Sequence, residues 1–246
     1  MSQLVELSDQ LSDGGWQRRL RNDRQRAERC QTTAQRAITA AVLERSLAFG
    51  ASAVALTGST VRRRRTAISD LDYHVIGPRP DVSDLSAEVD IVASTAERFR
   101  GRLLEGDDFA QWTLRFGCVL YDVGPMREGL RLILDAKLWP SPRSKLNSLA
   151  RHRRELERLL RMGDEDAAND QLRAMLTTGA RGLLLMAGIF PLARDELPGQ
   201  LESAGHARLA NQLQSTIQGR LRLCDVSEAM TILDSSVATS HASSAA

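Results

Sequence analysis

Three aspartates and a glycine-serine pair carry the chemistry that can be expected of this chain. Asp70 and Asp72 flank Leu71 at the start of Leu71-Asp-Tyr-His-Val-Ile76, a run that alternates as a half-buried strand does. A strand period of two puts both carboxylates on one face, with Leu71 and Tyr73 on the other. Carboxylates that close repel each other and lose hydration unless a cation sits between them. A hard divalent cation meets that need, and Mg²⁺ takes one or two carboxylates and completes its shell with substrate phosphates and water. Asp90, between Val89 and Ile91, adds a third carboxylate if its strand pairs beside the second. Three acidic groups at strand positions suited to core residues fit a two-metal site.

Gly58-Ser59 supplies a second half to the constellation. It follows the apolar run Ser52-Ala-Val-Ala-Leu-Thr57, which reads as a buried strand feeding a turn. A glycine there lets the backbone turn tightly and approach a ligand closely. The Ser59 hydroxyl and the amides opening the next helix can cradle phosphate oxygens, and Arg62, one turn on, can add a charge-assisted bond to them. A triphosphate held in this way on one side and metal-bound on the other is prepared for attack at its α-phosphorus.

The spacing predicts one long helix from about Gly15 to Phe49, on the stripe Trp16, Leu20, Ala27, Cys30, Ala34, Ile38 and Ala41. Its arginines (Arg18, Arg19, Arg21, Arg24, Arg26 and Arg29) read as a solvated face in preference to a nucleic-acid contact. Val89-Asp-Ile-Val92 is a third strand, and Ser94-Thr-Ala-Glu97 has the form of a capping box opening a helix through Phe99, Leu103 and Leu104. Cys118-Val-Leu-Tyr121 is a fourth strand, closed at Gly124-Pro125. Short strands among helices predict an α/β or α+β domain ending near residue 135. Beyond Pro140 and Pro142 the period is helical, with stripes at Leu146, Leu149, Leu156, Leu159 and Leu160, at Leu172, Met175, Leu176, Leu183, Leu184 and Ala187, and at Leu209, Leu213, Ile217 and Leu221. That pattern predicts an antiparallel bundle. Residues 235–246, rich in Ser, Ala and Thr, are expected to fray.

The 246 residues, 42% hydrophobic and 26% charged, exclude a disordered, collagen-like or disulfide-scaffold chain. Aromatics at 4% argue against a base-stacking surface. Lys137 and Lys145 are the only lysines, so nearly all of the positive charge is arginine, yet the net charge of +2 does not demand a nucleic-acid partner. Cys30, Cys118 and Cys224 form no CxxC pair, so neither zinc nor a disulfide framework is expected and the thiols read as buried or inert. With no long apolar run and no leader pattern, the expectation is a cytoplasmic protein without a membrane partner.

Taken in order, these elements resemble the polymerase-beta-like nucleotidyltransferase superfamily. Its signature is a hydrophobic strand, Gly-Ser, a helix of about ten residues, Asp-x-Asp on a strand and a third acidic residue on a later strand. Here those elements are Gly58-Ser59, ten intervening residues, Asp70-Leu-Asp72 and Val-Asp90-Ile. Ser69-Asp70-Leu-Asp72 and Gly58-Ser-Thr-Val-Arg62 also match forms common in that group, while Arg62 to Arg65 in succession and His74 depart from them. The layout is similar to kanamycin-type and minimal nucleotidyltransferases that carry a helical substrate domain. The resemblance implies an α+β fold: a small mixed β-sheet nucleotidyltransferase domain with flanking helices over 1–138, a helical bundle over 139–234 and a flexible tail over 235–246.

It also implies a function, the Mg²⁺-dependent transfer of a nucleoside monophosphate from an NTP, foremost AMP from ATP, to an acceptor hydroxyl. Asp70, Asp72 and Asp90 would be the metal ligands and catalytic carboxylates. Gly58, Ser59 and Arg62 would hold phosphates, with Lys145 reaching the triphosphate from the helical half, although a surface role is the simpler one for both Lys145 and Lys137. Glu88 and Asp90 are both candidates for general base. His74 reads as a satisfied structural histidine and His152 as part of a solvated face. The turn Ile189-Phe-Pro-Leu192 reads as packing. A small hydroxylated acceptor, such as an aminoglycoside or a natural-product intermediate, suits the layout. A tRNA or protein acceptor would employ the arginine-rich segments, and a non-catalytic nucleotide-binding partner protein is a third reading.

Overall fold

A computed structural model describes residues 11–62, 70–85, 89–219 and 226–244. The chain divides into two compact units, Met1–Pro140 and Ser141–Ala246. Together they make a mixed α and β protein, and among the described residues the strands all lie in the first unit.

The first unit is built on a four-stranded mixed sheet. β1 (Ala53–Leu56), β2 (Leu71–Ile76), β3 (Val89–Ser94) and β4 (Cys118–Asp122) stand in the spatial order β3-β2-β1-β4. β1 runs antiparallel to both neighbours, and β2 pairs parallel with β3. All four expected strands are present, each within two residues of its expected ends. One face, carrying Ala53, Ala55, Ile76 and Val119, packs on Phe99 and Leu103 of α4 (Ala96–Leu104), on Ala110 and Leu114 of α5 (Asp108–Phe116) and on Met126, Leu130 and Ile133 of α6 (Pro125–Asp135). α4 is capped by Thr95, whose side chain accepts from the Arg98 amide, one residue later than the expected box, because Ser94 is still the last residue of β3.

The expected single helix from Gly15 to Phe49 is two helices, α1 (Asp13–Cys30) and α2 (Thr33–Ala48). The break is a capping box. Thr32 accepts from the Gln35 amide while the Gln35 side chain accepts from the Thr32 amide. The apolar period hid it, since the stripe continues past a local start signal. The arginine run also departs from expectation. Arg18, Arg21 and Arg29 are exposed, but Arg24 and Arg26 donate to backbone carbonyls of β4 and of the turn before it, and Arg19 donates to the Leu114 carbonyl of α5. Arg24 reaches the Leu120 carbonyl at 2.8 Å and Arg26 the Phe116 carbonyl at 3.0 Å, and the Asp23 carboxylate accepts from the Val119 amide at 3.0 Å. Side chains of α1 thereby take the place of a fifth strand and protect an edge that would otherwise offer unpaired backbone groups.

The second unit is helical: α7 (Pro142–Met162), α8 (Glu165–Met186), α9 (Leu197–Ser203), α10 (Ala207–Ile217) and α11 (Val226–Ser244). α7 and α8 are joined as a hairpin through Gly163-Asp164, and α8 packs against α9, α10 and α11 as well. Gly179 of α8 lets Leu233 of α11 come so close that a Cβ there would lie 3.2 Å from Leu233 Cδ2. The expected stripes form this core, through Leu156, Leu159, Leu172, Met175, Leu176, Leu183, Leu184, Leu209 and Leu213, except that Leu160 and Ala187 are exposed. Leu221 lies outside the described residues. The segment expected to fray is helical as far as Ser244, because Ile232, Leu233 and Val237 give α11 an apolar side against the core.

Candidate functional site

Two of the three aspartates are set opposite each other by strand register. Asp72 pairs with Asp90 across the parallel β2–β3 ladder, so both side chains emerge on the same face of the sheet. That face is the one bearing Ala55, which pairs with His74 two residues further along β2. Asp72 is half-buried and Asp90 exposed. Asp70 lies one residue ahead of β2 and is also exposed. Among the described residues no three His, Cys, Asp or Glu side chains are gathered as a metal-ligating set.

Gly58 meets this carboxylate pair directly. β1 ends at Leu56, and the Thr57 amide donates to the Asp72 carbonyl at 2.8 Å, with the Thr57 hydroxyl donating to the same oxygen at 3.2 Å. The chain then turns through Gly58 at φ +71° into α3 (Gly58–Val61). A Cβ on Gly58 would overlap Asp72 Oδ2 outright and lie 2.7 Å from its Cγ. Only a bare Cα fits, and only glycine takes this backbone angle without strain. Thr57 is thus the buried residue that ties the carboxylate strand to the glycine turn, a role that sequence pattern alone did not single out.

Ser59 is half-buried in α3, beside Gly58. The described helix after the turn is four residues long, shorter than the helix expected between the two motifs, and residues 63–69 lie outside the described residues. Arg62 closes α3 with its guanidinium over the Phe116 ring, 5.5 Å from the centroid. Arg63 to Arg65, Ser69 and Glu88 are not among the described residues. Lys145 stands in the first turn of α7 in the second unit, half-buried. Lys137 is exposed after α6, with φ 49° and its amide bonded to the Leu134 carbonyl at 3.3 Å.

His74 is fully buried behind Asp72 and has the structural role expected of it. Thr113 donates its hydroxyl to the Phe109 carbonyl at 3.1 Å, so it accepts from His74 Nδ1 at 3.2 Å, and the Ser94 hydroxyl lies 3.4 Å from Nε2. Phe99 and Phe109 flank the ring at 5.2 and 5.4 Å. Burial, with a smaller push from Arg102 and an opposing pull from Asp107, brings the imidazole pKa down to about 4. His152 is half-buried and its Nδ1 accepts from Gln171 Nε2 at 2.9 Å, and burial ahead of the nearby Arg151 charge lowers its pKa.

Asp122 ends β4 and caps α6 from below, accepting from the Met126 and Arg127 amides at 3.0 and 3.2 Å. Burial raises its pKa against those hydrogen bonds. Cys118 is buried, as expected, and accepts from Arg26 Nε at 2.9 Å, and burial pushes its thiol up to about 11. Cys30 is a free thiol, and Cys224 lies outside the described residues. No described helix is long and apolar enough to cross a membrane.

A scan of known protein families finds none that matches this chain, and a search of curated proteins finds no match either.

Proposed function

We propose that the chain is a nucleotidyltransferase that moves a nucleoside monophosphate, foremost AMP from ATP, to the hydroxyl of a small acceptor such as an aminoglycoside or a natural-product intermediate. The observation that carries this reading is the contact of Gly58 with Asp72 while Asp72 faces Asp90 across the sheet. The glycine turn packs its bare Cα on the Asp72 carboxylate, with Asp90 beside it on the same sheet face, so turn amides and acidic groups come together, which suits a phosphate ligand that brings its own cation.

The donor set fits Mg²⁺ by its chemistry, since Asp70, Asp72 and Asp90 offer hard carboxylate oxygens. When bound there, the cation would supply Lewis-acid stabilisation of charge on the phosphate oxygens. The chain's own residues divide the remaining work. Ser59 and Arg62 are the donors available to the β- and γ-phosphates, and the cation–π contact with Phe116 steadies the Arg62 guanidinium. The acceptor oxygen forms a bond to the α-phosphorus, the bond to the bridging oxygen breaks, pyrophosphate leaves and the hydroxyl proton passes to a carboxylate, Glu88 or Asp90.

Thermal unfolding tests the reading. ATP with Mg²⁺ is expected to raise the Tm of the wild-type protein by several degrees, since a ligand at a hundred times its Kd adds about 2.7 kcal/mol. Replacing Mg²⁺ with EDTA, or Asp70 with Asn, is expected to abolish the rise. An equal rise in a folded Asp70→Asn protein would remove that carboxylate from the site.

A further inference from the structure

α7 carries a charge pattern that the nucleotidyltransferase reading does not use. Over Pro142–Met162 there are seven Arg and Lys side chains against two glutamates, whereas the rest of the Ser141–Ala246 unit has six cations against ten acidic residues. The positive charge of this unit is therefore concentrated on one helix. At 3.6 residues per turn Arg143, Arg151, Arg154, Arg158 and Arg161 fall within an arc of about 80°, opposite Leu156 and Leu159, and spread over about 27 Å of helix axis. All five are exposed, while Leu156 and Leu159 are buried in the bundle core. Arg158 is held by Glu155 at 2.6 and 3.0 Å, and Arg153, off the stripe, by Asp234 at 2.7 Å. Arg143, Arg151, Arg154 and Arg161 make no ion pair or hydrogen bond among the described residues. Glu155 and Glu157 border the stripe, one on each side.

We infer that this stripe is a docking surface for a nucleic-acid duplex, held through its phosphates. Charge complementarity selects the occupant. Four unpaired guanidiniums in a row match a regular line of phosphates, and arginine binds phosphate in a fork geometry that lysine lacks. The unit contains a single aromatic residue, Phe190, which is half-buried, so it has no platform on which unstacked bases could lie. Contacts limited to phosphates give binding without base sequence, for RNA and DNA duplexes alike. An anionic bilayer fits less well, because the apolar side of α7 is already spent on the core and has nothing to insert. The inference does not rest on the acidic site, and no nucleoside triphosphate enters its test.

The experiment is fluorescence-anisotropy titration of the full chain with a labelled 20-base-pair RNA duplex and the matching DNA duplex, over a series of salt concentrations. Four phosphate contacts give a slope of about −3 to −4 in log affinity against log salt. The variant Arg143→Gln, Arg151→Gln, Arg154→Gln, Arg161→Gln is expected to lose at least tenfold in affinity at low salt and to flatten the slope. The same four positions changed to Lys keep the charge without the fork and are expected to bind less tightly than wild type but more tightly than the Gln variant, which separates charge from folding. A control with Arg18→Gln, Arg21→Gln and Arg29→Gln, equally exposed cations of the first unit, is expected to bind as wild type. The proposal is overturned if the wild type binds neither duplex, if the Gln variant binds unchanged, if the control loses as much as the stripe variant, or if phosphatidylserine vesicles or polyglutamate compete as well as the duplex does.

Discussion

The two units bury different things. Of the thirteen polar or charged residues that are buried among the described residues, twelve belong to Met1–Pro140 and one, Thr216, to the helical unit. The helical unit is held by leucines, whose packing is tolerant of which apolar side chain fills the space so long as volume is kept. The sheet unit instead holds Arg19, Asp23, Thr57, His74 and Thr113 inside, several of them in specific hydrogen bonds that fix a strand edge, a turn or a helix. Buried polar groups cost free energy unless paired, and once paired they define one geometry and not a family of near-equivalents. A site that must set carboxylates against a glycine turn needs that kind of frame, and a bundle that offers a surface does not.

The sharpest way to break this contrast is to remove one partner from the polar frame. Asp23→Ala leaves the Arg19 guanidinium buried without its carboxylate and the Val119 amide without an acceptor, so a loss of about 3–5 kcal/mol is expected in urea unfolding. Next comes truncation in the apolar frame, where Leu176→Ala is expected to cost about 2–5 kcal/mol and Leu176→Met less than about 1.5 kcal/mol. If Asp23→Asn were tolerated as well as Leu176→Met, the distinction between the units would fail.

Smaller effects sharpen the comparison at the site. Gly58→Ala puts a methyl group into Asp72 and an unfavourable angle into the backbone, for a loss of about 1–3 kcal/mol by thermal unfolding. Gly188→Ala, at a helical-unit position with positive φ but no atom within 4 Å of the added Cβ, is expected to lose only the backbone part of that cost. His74 gives the sheet unit a pH signature. Its native pKa of about 4 lies below the unfolded value near 6.5, so the unfolded chain takes up a proton first as pH falls. Stability from this group is whole above pH 6.5 and is lost as pH drops towards 4, by about 2 kcal/mol at pH 5. His74→Gln should lose that increment of the pH dependence, read as the difference between urea midpoints at pH 7 and pH 5.

Local pattern made the strands readable to within two residues, because the alternating and apolar runs around Asp72, Asp90 and Cys118 are short and bounded by turn residues. The residue pairing of Asp72 with Asp90 was foreseeable only in form, since parallel register is set by contacts distant in sequence. The arginine clamps on β4 were not legible for the same reason: Arg24 and Leu120 are 96 residues apart, and nothing in the helical run of α1 distinguishes a clamping arginine from a solvated one. The break at Thr32 was legible from Thr32-x-x-Gln35, a local signal that the longer apolar period overrode. The helicity of 235–244 was missed because Val237 is the one large apolar side chain among Ser, Ala, Thr and His there.

Asp72, set between Gly58 and Asp90, is proposed to belong to a site for metal-bound nucleotide. Calorimetric titration of ATP, GTP, CTP and UTP into the purified protein, with Mg²⁺ and without, on wild type and Asp72→Asn, tests it most directly. Saturable binding of one nucleotide that requires Mg²⁺ and disappears in the folded Asp72→Asn protein is the predicted result. Binding of no nucleotide by folded wild-type protein, or binding that Asp72→Asn leaves intact, would contradict it.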